Sequence, residues 1–172
     1  MKPFFGAAFA GQTTFVDFDL ASGKSHATVG ASGLWLGEVL GVEADVGHSP
    51  GFFQTSGGHL VLTSSVTTLT GNIVVALPRR MAPYSLRPYA VGGGGLMHAR
   101  SDDAVGVLNV ARTLKAVDVG AGATGFLTDR IGVDWQLRYF RSVGGIDEQI
   151  GISTGAEQLS FWRATMALAI RY

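Results

Sequence analysis

Residues 161–172 alternate between two kinds of side chain with a period of two. One set is wholly apolar and has an aromatic residue at each end; it comprises Trp162, Ala164, Met166, Leu168, Ile170 and Tyr172. The other set mixes arginines with small residues and comprises Phe161, Arg163, Thr165, Ala167, Ala169 and Arg171. Successive side chains of a strand point to opposite faces of a sheet, so the pattern predicts a strand. An apolar outward face, a polar inward face and aromatics at both ends are typical of a membrane-spanning strand.

The composition agrees with membrane-spanning strands and disfavours several other classes of protein. Charged residues make up 15% of the chain and 25 residues are glycine, while the mean hydropathy is +0.27. No run approaches the roughly 20 apolar residues that a membrane helix needs. The formal net charge of zero gives no argument for a nucleic-acid partner. The absence of cysteine excludes disulfide and thiol chemistry.

Seven further segments show the same period of two, and none repeats apolar residues at helical spacing over three turns. The eight predicted strands span approximately residues 4–15, 26–36, 39–47, 61–77, 86–98, 115–127, 131–141 and 161–172. Connections after the first, third, fifth and seventh strands are predicted to be long, and the others short. We therefore predict an all-β fold, an eight-stranded antiparallel up-and-down transmembrane β-barrel, as a single domain over residues 1–172. Both chain ends then lie at the short-turn rim, which is expected to face the periplasm.

The beginning of the chain has features of an export signal. Residues 4–10 are apolar and small after Lys2, and Ala8-Phe9-Ala10 has the form of a cleavage site. Signal peptides usually run to about 15–30 residues, so this segment is too short to be one. We expect Met1 to stand in front of a mature domain whose signal peptide is absent from this chain.

Aromatic residues are predicted to form a girdle at each membrane interface. The group expected near the short-turn rim comprises Phe4, Trp35, Tyr84, Tyr89, Phe126 and Tyr172. The group expected near the long-loop rim comprises Phe15, Phe18, Phe52, Phe53, Tyr139, Phe140, Phe161 and Trp162.

Three stretches resemble a known family. They are the start Phe4-Phe5-Gly6-Ala7-Ala8-Phe9-Ala10-Gly11, the strand Arg130–Phe140 and the aromatic end of the chain. The chain resembles the small eight-stranded outer-membrane β-barrels of Gram-negative bacteria, which include the OmpA transmembrane domain and OmpX-like proteins. The resemblance covers residues 3–172 and implies location in the outer membrane and insertion by the barrel-assembly machinery. It also implies that Trp162, Ile170 and Tyr172 form the assembly signal, although the last residue of the family is more often Phe.

Strand parity places six charged residues on the inward face: Glu43, Asp45, Asp118, Asp134, Arg138 and Arg163. A barrel of eight strands is just wide enough for its own side chains to fill the interior. Opposed carboxylates and guanidinium groups should therefore pair, because an unpaired buried charge is costly. We predict a structural network that plugs the lumen, and a small pore is the alternative.

Two patterns that resemble active or cofactor sites are interpreted as structural. Residues 120–125 fit the G-x-G-x-x-G pattern, but a dinucleotide site needs a helix next, and a turn and another strand are predicted instead. His48, Ser49 and Asp45 suggest the lipid A-modifying membrane enzymes, yet neighbouring residues of a strand point to opposite faces. The four scattered histidines lack metal-ligand spacing. We therefore expect no enzyme activity, no cofactor and no metal.

The sequence favours a structural or surface-interaction barrel of the outer membrane. Its expected partners are the lipid bilayer, the barrel-assembly machinery and an extracellular ligand at the loops 48–60 and 142–160, since loops on a rigid scaffold commonly carry binding. Three alternatives remain: a soluble lipocalin-like binding barrel, a lipid A-modifying enzyme and a small pore. A lipocalin would have an apolar interior and a polar exterior, and the pattern here is the inverse.

Overall fold

The computed structural model describes residues 1–13, 25–52, 61–82, 86–103, 110–145 and 159–171. Eight strands form a closed barrel in which each strand pairs antiparallel with its sequence neighbours and β8 pairs with β1. The strands are β1 Lys2–Thr13, β2 His26–Leu36, β3 Leu40–Pro50, β4 Val61–Ala76, β5 Leu86–Asp103, β6 Val110–Phe126, β7 Ile131–Gly145 and β8 Leu159–Ile170. The predicted eight-stranded antiparallel barrel is confirmed.

Most predicted strands were too short on the long-loop side. β3 continues to Pro50, β5 to Asp103 and β7 to Gly145, while β6 already begins at Val110. The prediction ended each strand where polar residues began, but a ladder needs only backbone partners and continues past the apolar stretch. As a result, the predicted long loop over residues 99–114 shrinks to a connection over 104–109, which is shorter than the turn over 77–85.

β1 contains an irregularity that the period of two did not predict. Phe9 lies opposite Trp162 and Gln12 lies opposite Ser160, so β1 has one residue more than β8 between these pairs. Ala10 occupies the bulge with a φ of 50°. A bulge changes the face on which the following residues lie. Gly11 is therefore buried and Gln12 exposed, the reverse of the predicted alternation.

The two faces of the barrel differ in polarity. The exposed face carries large apolar side chains, including Phe5, Ile73 and Val119, while Trp35 is 82% exposed. The predicted girdles were partly wrong, because five of their aromatics lie inside the barrel: Phe4, Phe52, Tyr89, Phe140 and Phe161. Nearness to a strand end does not determine the face; parity does.

The described ends of the chain, Met1 and Arg171, lie at the short-turn rim, as predicted. The backbone nitrogen of Ile170 donates to the carbonyl oxygen of Met1 (3.0 Å), and that of Arg171 donates to the carbonyl oxygen of Arg130 (2.9 Å). Arg130 belongs to the turn between β6 and β7, and a short 3₁₀ helix, Arg79–Met81, lies in the turn between β4 and β5. Within the described ranges, the structure contains no helix of sufficient length and apolarity to cross a membrane.

A buried charge network as the candidate functional site

The structure places all six predicted inward charges inside the barrel, each less than 5% exposed. They come from four strands: β3 supplies Glu43 and Asp45, β6 supplies Asp118, β7 supplies Asp134 and Arg138, and β8 supplies Arg163. Closure of the sheet brings these strands to a common interior, and the period of two points the side chains into it.

Arg138 lies at the centre of the network. Its Nη2 donates to Glu43 Oε1, and its Nη1 donates to Asp118 Oδ2 at 3.2 Å. Asn72 lies between these groups; in the orientation that satisfies both, its amide nitrogen donates to Asp118 (2.9 Å) and its oxygen accepts from Arg138 (2.7 Å). The guanidinium therefore connects β3, β4 and β6 to β7, and each contact is charge-assisted.

Arg163 forms a second cluster around one carboxylate. Its Nη2 donates to Asp45 Oδ1 at 2.6 Å, and its Nη1 donates to Thr68 Oγ1 at 3.3 Å. The guanidinium carbon lies 4.8 Å from the centre of the Phe4 ring and 4.7 Å from that of Phe140. A Cβ atom at Gly47 would collide with this guanidinium, so the absence of a side chain there provides room for it. Cation–π contact and ion pairing together stabilise the buried charge.

Asp134 is held by residues that are not among the six predicted inward charges. Its Oδ1 accepts from the Tyr89 hydroxyl (2.9 Å) and lies 3.5 Å from Lys2 Nζ, while its Oδ2 accepts from Thr124. Lys2 also lies 3.0 Å from Glu43 Oε2. Strand parity could have identified Lys2, which shares a face with Phe4, and Tyr89, which was assigned to the girdle instead.

The buried charges nearly balance. Among the described residues, the buried cations are Lys2, Arg138 and Arg163, and the buried carboxylates are Glu43, Asp45, Asp118 and Asp134. One carboxylate is thus in excess. Because Asp134 also accepts hydrogen bonds from two neutral hydroxyl groups, its charge can be stabilised without a cation of its own.

An apolar layer covers the charge network on the long-loop side. Phe140 stacks on Phe161 with ring centres 5.2 Å apart, and Phe52 meets Phe161 edge-on at the same distance. Met97 and Leu114 belong to the same buried cluster. Phe52, which falls in the predicted loop 48–60, therefore lies inside the barrel.

A cavity of about 790 Å³ opens on the opposite side, at the short-turn rim. Tyr89, Lys2 and Thr124 line it together with Arg79, Arg87 and Arg171. Arg87 Nε donates to the carbonyl oxygen of Leu77 at 2.9 Å. The interior thus consists of an apolar layer, a charged layer and an open vestibule.

Among the described residues, the alternative catalytic, cofactor and metal sites are not assembled. His48 is exposed on the outer face and hydrogen-bonds Thr67, whereas Ser49 is buried and lies 2.6 Å from Thr28 Oγ1. Residues 120–125 lie within β6, which is followed by a turn and β7. A Cβ atom at Gly122 would lie 2.6 Å from the Tyr89 hydroxyl, so this glycine leaves room for that ring. In the parts of the chain that the structure describes, no His, Cys, Asp or Glu residues cluster as metal ligands.

The residues expected to bind other molecules are only partly described. Trp162 and Ile170 lie on the outward parity of β8, and Tyr172 lies outside the described residues. In the expected loop 48–60, residues 48–50 belong to β3 and 53–60 are outside the described ranges. In the expected loop 142–160, residues 142–145 belong to β7 and 159–160 to β8, and 146–158 are not described.

Comparisons with known proteins find the same fold among solved structures. Scans of protein-family models and of curated proteins gave no match. Among solved structures, Neisserial surface protein A superimposes with a TM-score of 0.69 at 12% identity, covering 99% of this chain and 94% of that one. The chain has the fold of the small eight-stranded outer-membrane barrels. Ail, the attachment invasion locus protein of Yersinia pestis, matches this barrel with a TM-score of 0.50 at 10% identity, covering 97% of the barrel and 93% of Ail.

Proposed function

We propose that the chain spans the bacterial outer membrane as a closed barrel with a structural or surface-interaction role and no enzyme activity. The observation that carries the proposal is the inverted polarity of the barrel, with paired charges inside and large apolar side chains exposed outside. In water such an exterior would be a large aggregation-prone surface, whereas lipid would cover it. The same observation argues against the soluble lipocalin-like alternative.

The proposed orientation in the membrane follows from the positions of the turns and chain ends at the two rims of the barrel. The short turns and both described chain ends are proposed to face the periplasm, and the connections 51–60 and 146–158 to face the exterior. These two connections are proposed to bind an extracellular partner, since Neisserial surface protein A and Ail are named for surface location and attachment. Trp162, Ile170 and Tyr172 are proposed as the signal that the barrel-assembly machinery reads.

Membrane extraction and gel mobility test the placement. The protein should stay with the membrane fraction after alkaline carbonate washing and should migrate faster on a detergent gel before boiling than after it. A closed barrel resists unfolding by detergent, so boiling is needed to open it. A protein that is monomeric and soluble without detergent would overturn the proposal.

We further propose that the lumen is closed to ions by two independent layers. The charge network around Arg138 and the aromatic layer of Phe52, Phe140 and Phe161 follow one another along the interior. Side chains filling an eight-stranded barrel leave no continuous water path. The alternative is a small pore.

Planar-bilayer conductance distinguishes a lumen that is closed to ions from a small pore. The wild type and Arg138→Ala should both show no steady conductance, because the aromatic layer remains in the variant. The double variant Arg138→Ala/Phe161→Ala should conduct. Arg80→Ala is the matched control, since Arg80 pairs with Glu38 on the exposed short-turn rim at 3.4 Å. Steady conductance of the wild type would favour the pore.

A further inference from the structure

The cavity at the short-turn rim has the volume of a ligand-binding site. Its volume of about 790 Å³ lies within the range of roughly 300–1,000 Å³ that small-molecule pockets occupy. Part of the lining is apolar and includes Leu34, Leu36 and Ala76, which have inward parity on β2 and β4. Apolar surface in an open cavity favours a ligand with an apolar part, because binding removes that surface from water.

Three arginines from separate parts of the chain line the same cavity. Arg79 belongs to the turn between β4 and β5, Arg87 to the beginning of β5, and Arg171 directly follows β8. The charges of Arg79 and Arg171 repel that of Arg87. Glu38, which pairs with Arg80, offsets part of this repulsion. An anion between the three guanidinium groups would replace repulsion with attraction.

Two of these arginines are held in position by neutral groups. Arg87 Nε donates to the carbonyl oxygen of Leu77 at 2.9 Å, and its Nη2 donates to the carbonyl oxygens of residues 37 and 38. The guanidinium carbon of Arg171 lies 4.2 Å from the centre of the Phe126 ring. Carbonyl dipoles and a ring face orient a guanidinium group and supply no net negative charge. Both side chains are therefore positioned for an anion before it binds.

The remaining charges that line the cavity leave an excess of positive charge. Lys2 already lies 3.0 Å from Glu43 Oε2 and 3.5 Å from Asp134 Oδ1. Among the described residues that line the cavity, Asp129 is the one carboxylate. Three guanidinium groups are thus set against a single acidic side chain. A cleft with charge of one sign in excess attracts ligands of the opposite sign.

We propose that the cavity with Arg79, Arg87 and Arg171, here called the arginine vestibule, binds a small molecule that carries a phosphate or carboxylate group on an apolar part. Guanidinium groups donate paired hydrogen bonds to such oxyanions. Two sources supply this chemistry: a dissolved organic anion and a phospholipid of the adjacent leaflet. The side of the membrane from which the ligand enters depends on the proposed orientation, and the site itself does not.

Isothermal titration calorimetry with phenyl phosphate tests the arginine vestibule in the full chain, folded in micelles of a neutral detergent. This probe combines an oxyanion with a small aromatic group, and the wild type should bind it at a single site. Arg79→Gln and Arg171→Gln should each weaken binding about tenfold, the loss expected for one charge-assisted hydrogen bond. Inorganic phosphate should bind more weakly than phenyl phosphate, because it has no apolar part to cover the apolar lining.

Arg80→Gln is the matched control for Arg79→Gln. The two arginines are neighbours in the same 3₁₀ helix, but Arg80 pairs with Glu38 and does not line the cavity. Arg80→Gln should leave the affinity for phenyl phosphate nearly unchanged. Asp129→Asn should instead strengthen binding, because it removes a charge of the same sign as the probe. Equal losses in Arg79→Gln and Arg80→Gln would overturn the proposal, since binding would then follow the net charge of the rim.

Two further measurements distinguish the sources of the ligand. Displacement of phenyl phosphate by glycerol phosphate would support a dissolved anion. Phospholipid that copurifies with the wild type and not with Arg79→Gln/Arg171→Gln, measured by phosphorus analysis, would support a lipid.

The heat-modifiable band, checked first in each sample, separates this proposal from the proposed function. Failure to form that band in any detergent or vesicle would contradict the membrane-spanning barrel. A folded barrel that binds no phenyl phosphate, or binds it equally in the wild type and in Arg79→Gln/Arg171→Gln, would overturn the arginine vestibule as a ligand site alone.

Discussion

Arg138 connects three strands inside the barrel, because its guanidinium on β7 pairs with carboxylates from β3 and β6. Arg138→Ala would leave Glu43 and Asp118 buried beside an empty space. We expect the free energy of unfolding to fall by ~3–5 kcal/mol, the usual cost of removing one partner of a buried pair. Urea unfolding in lipid vesicles, followed by tryptophan fluorescence, measures this change.

Arg80→Ala serves as the comparison for this measurement. In its ion pair with Glu38 both side chains are exposed, and exposed ion pairs add little to the stability of a protein. Equal stability losses in the two variants would mean that Arg138 is not part of a buried network.

Ala10 adopts a backbone conformation that glycine tolerates better. Its φ of 50° lies in the left-handed region, which costs a residue with a Cβ atom roughly 1–2 kcal/mol. Ala10→Gly should therefore stabilise the barrel or leave it unchanged, since the larger entropy of the unfolded glycine chain offsets part of the gain. The same unfolding assay applies.

Ala7→Gly is the matched control for Ala10→Gly, because Ala7 lies in the regular part of β1 opposite Ala164. It should lose roughly 0.5–1 kcal/mol, the ordinary cost of glycine in a strand. If Ala10→Gly is destabilised as much as Ala7→Gly, the bulge does not hold Ala10 in the left-handed region.

The cost of a lipid-facing charge at different positions along a strand reports the depth of each position in the membrane. Met166 lies in the middle of the outward face of β8, and Val143 lies on β7 beyond the Tyr139–Trp162 pair. Met166→Arg should lower the unfolding free energy in vesicles by ~2–4 kcal/mol, and Val143→Arg by ~0–1 kcal/mol, because the cost of lipid-facing arginine falls towards the interface. Equal costs at the two positions would contradict the proposed membrane depth.

Strand periodicity predicts which face of the sheet a side chain occupies, but it does not predict bulges or the ends of strands. The alternation in β8 predicts Arg163 inside and Trp162 outside, and both positions are confirmed. The bulge could not be placed at Ala10 from the sequence, because the left-handed residue is this alanine and not the neighbouring Gly11. The position of the extra residue is specified by pairing with β8. Strand ends were underestimated for a similar reason, since backbone ladders continue where side-chain alternation stops.

Closure of the barrel can be tested on the whole molecule, which contains no cysteine. Ala7 lies opposite Ala164 across the β1–β8 seam, and directly opposed residues are close to the spacing that a disulfide spans. Ala7→Cys/Ala164→Cys should cross-link on oxidation. After boiling without reductant, the large covalent loop should migrate faster than the linear chain.

Ala7→Cys/Ala27→Cys is the control for closure, because Ala27 is the partner of Ala7 on the adjacent strand β2. Its small loop should leave the boiled, non-reduced band near the position of the linear chain. Failure of the seam pair to cross-link, while the hairpin pair does, would contradict a closed barrel.

The residues alone specify a barrel and the inward set of six charges, because lipid and lumen impose opposite polarity on alternate positions of every strand. They do not specify which of the charged side chains are in contact. The contacts of Arg138 with Glu43 and Asp118, of Arg163 with Asp45, and of Lys2 and Tyr89 with Asp134 join residues far apart in sequence. Those contacts depend on the register between strands and on closure of the sheet, and period-two alternation is the same for every register that differs by two residues.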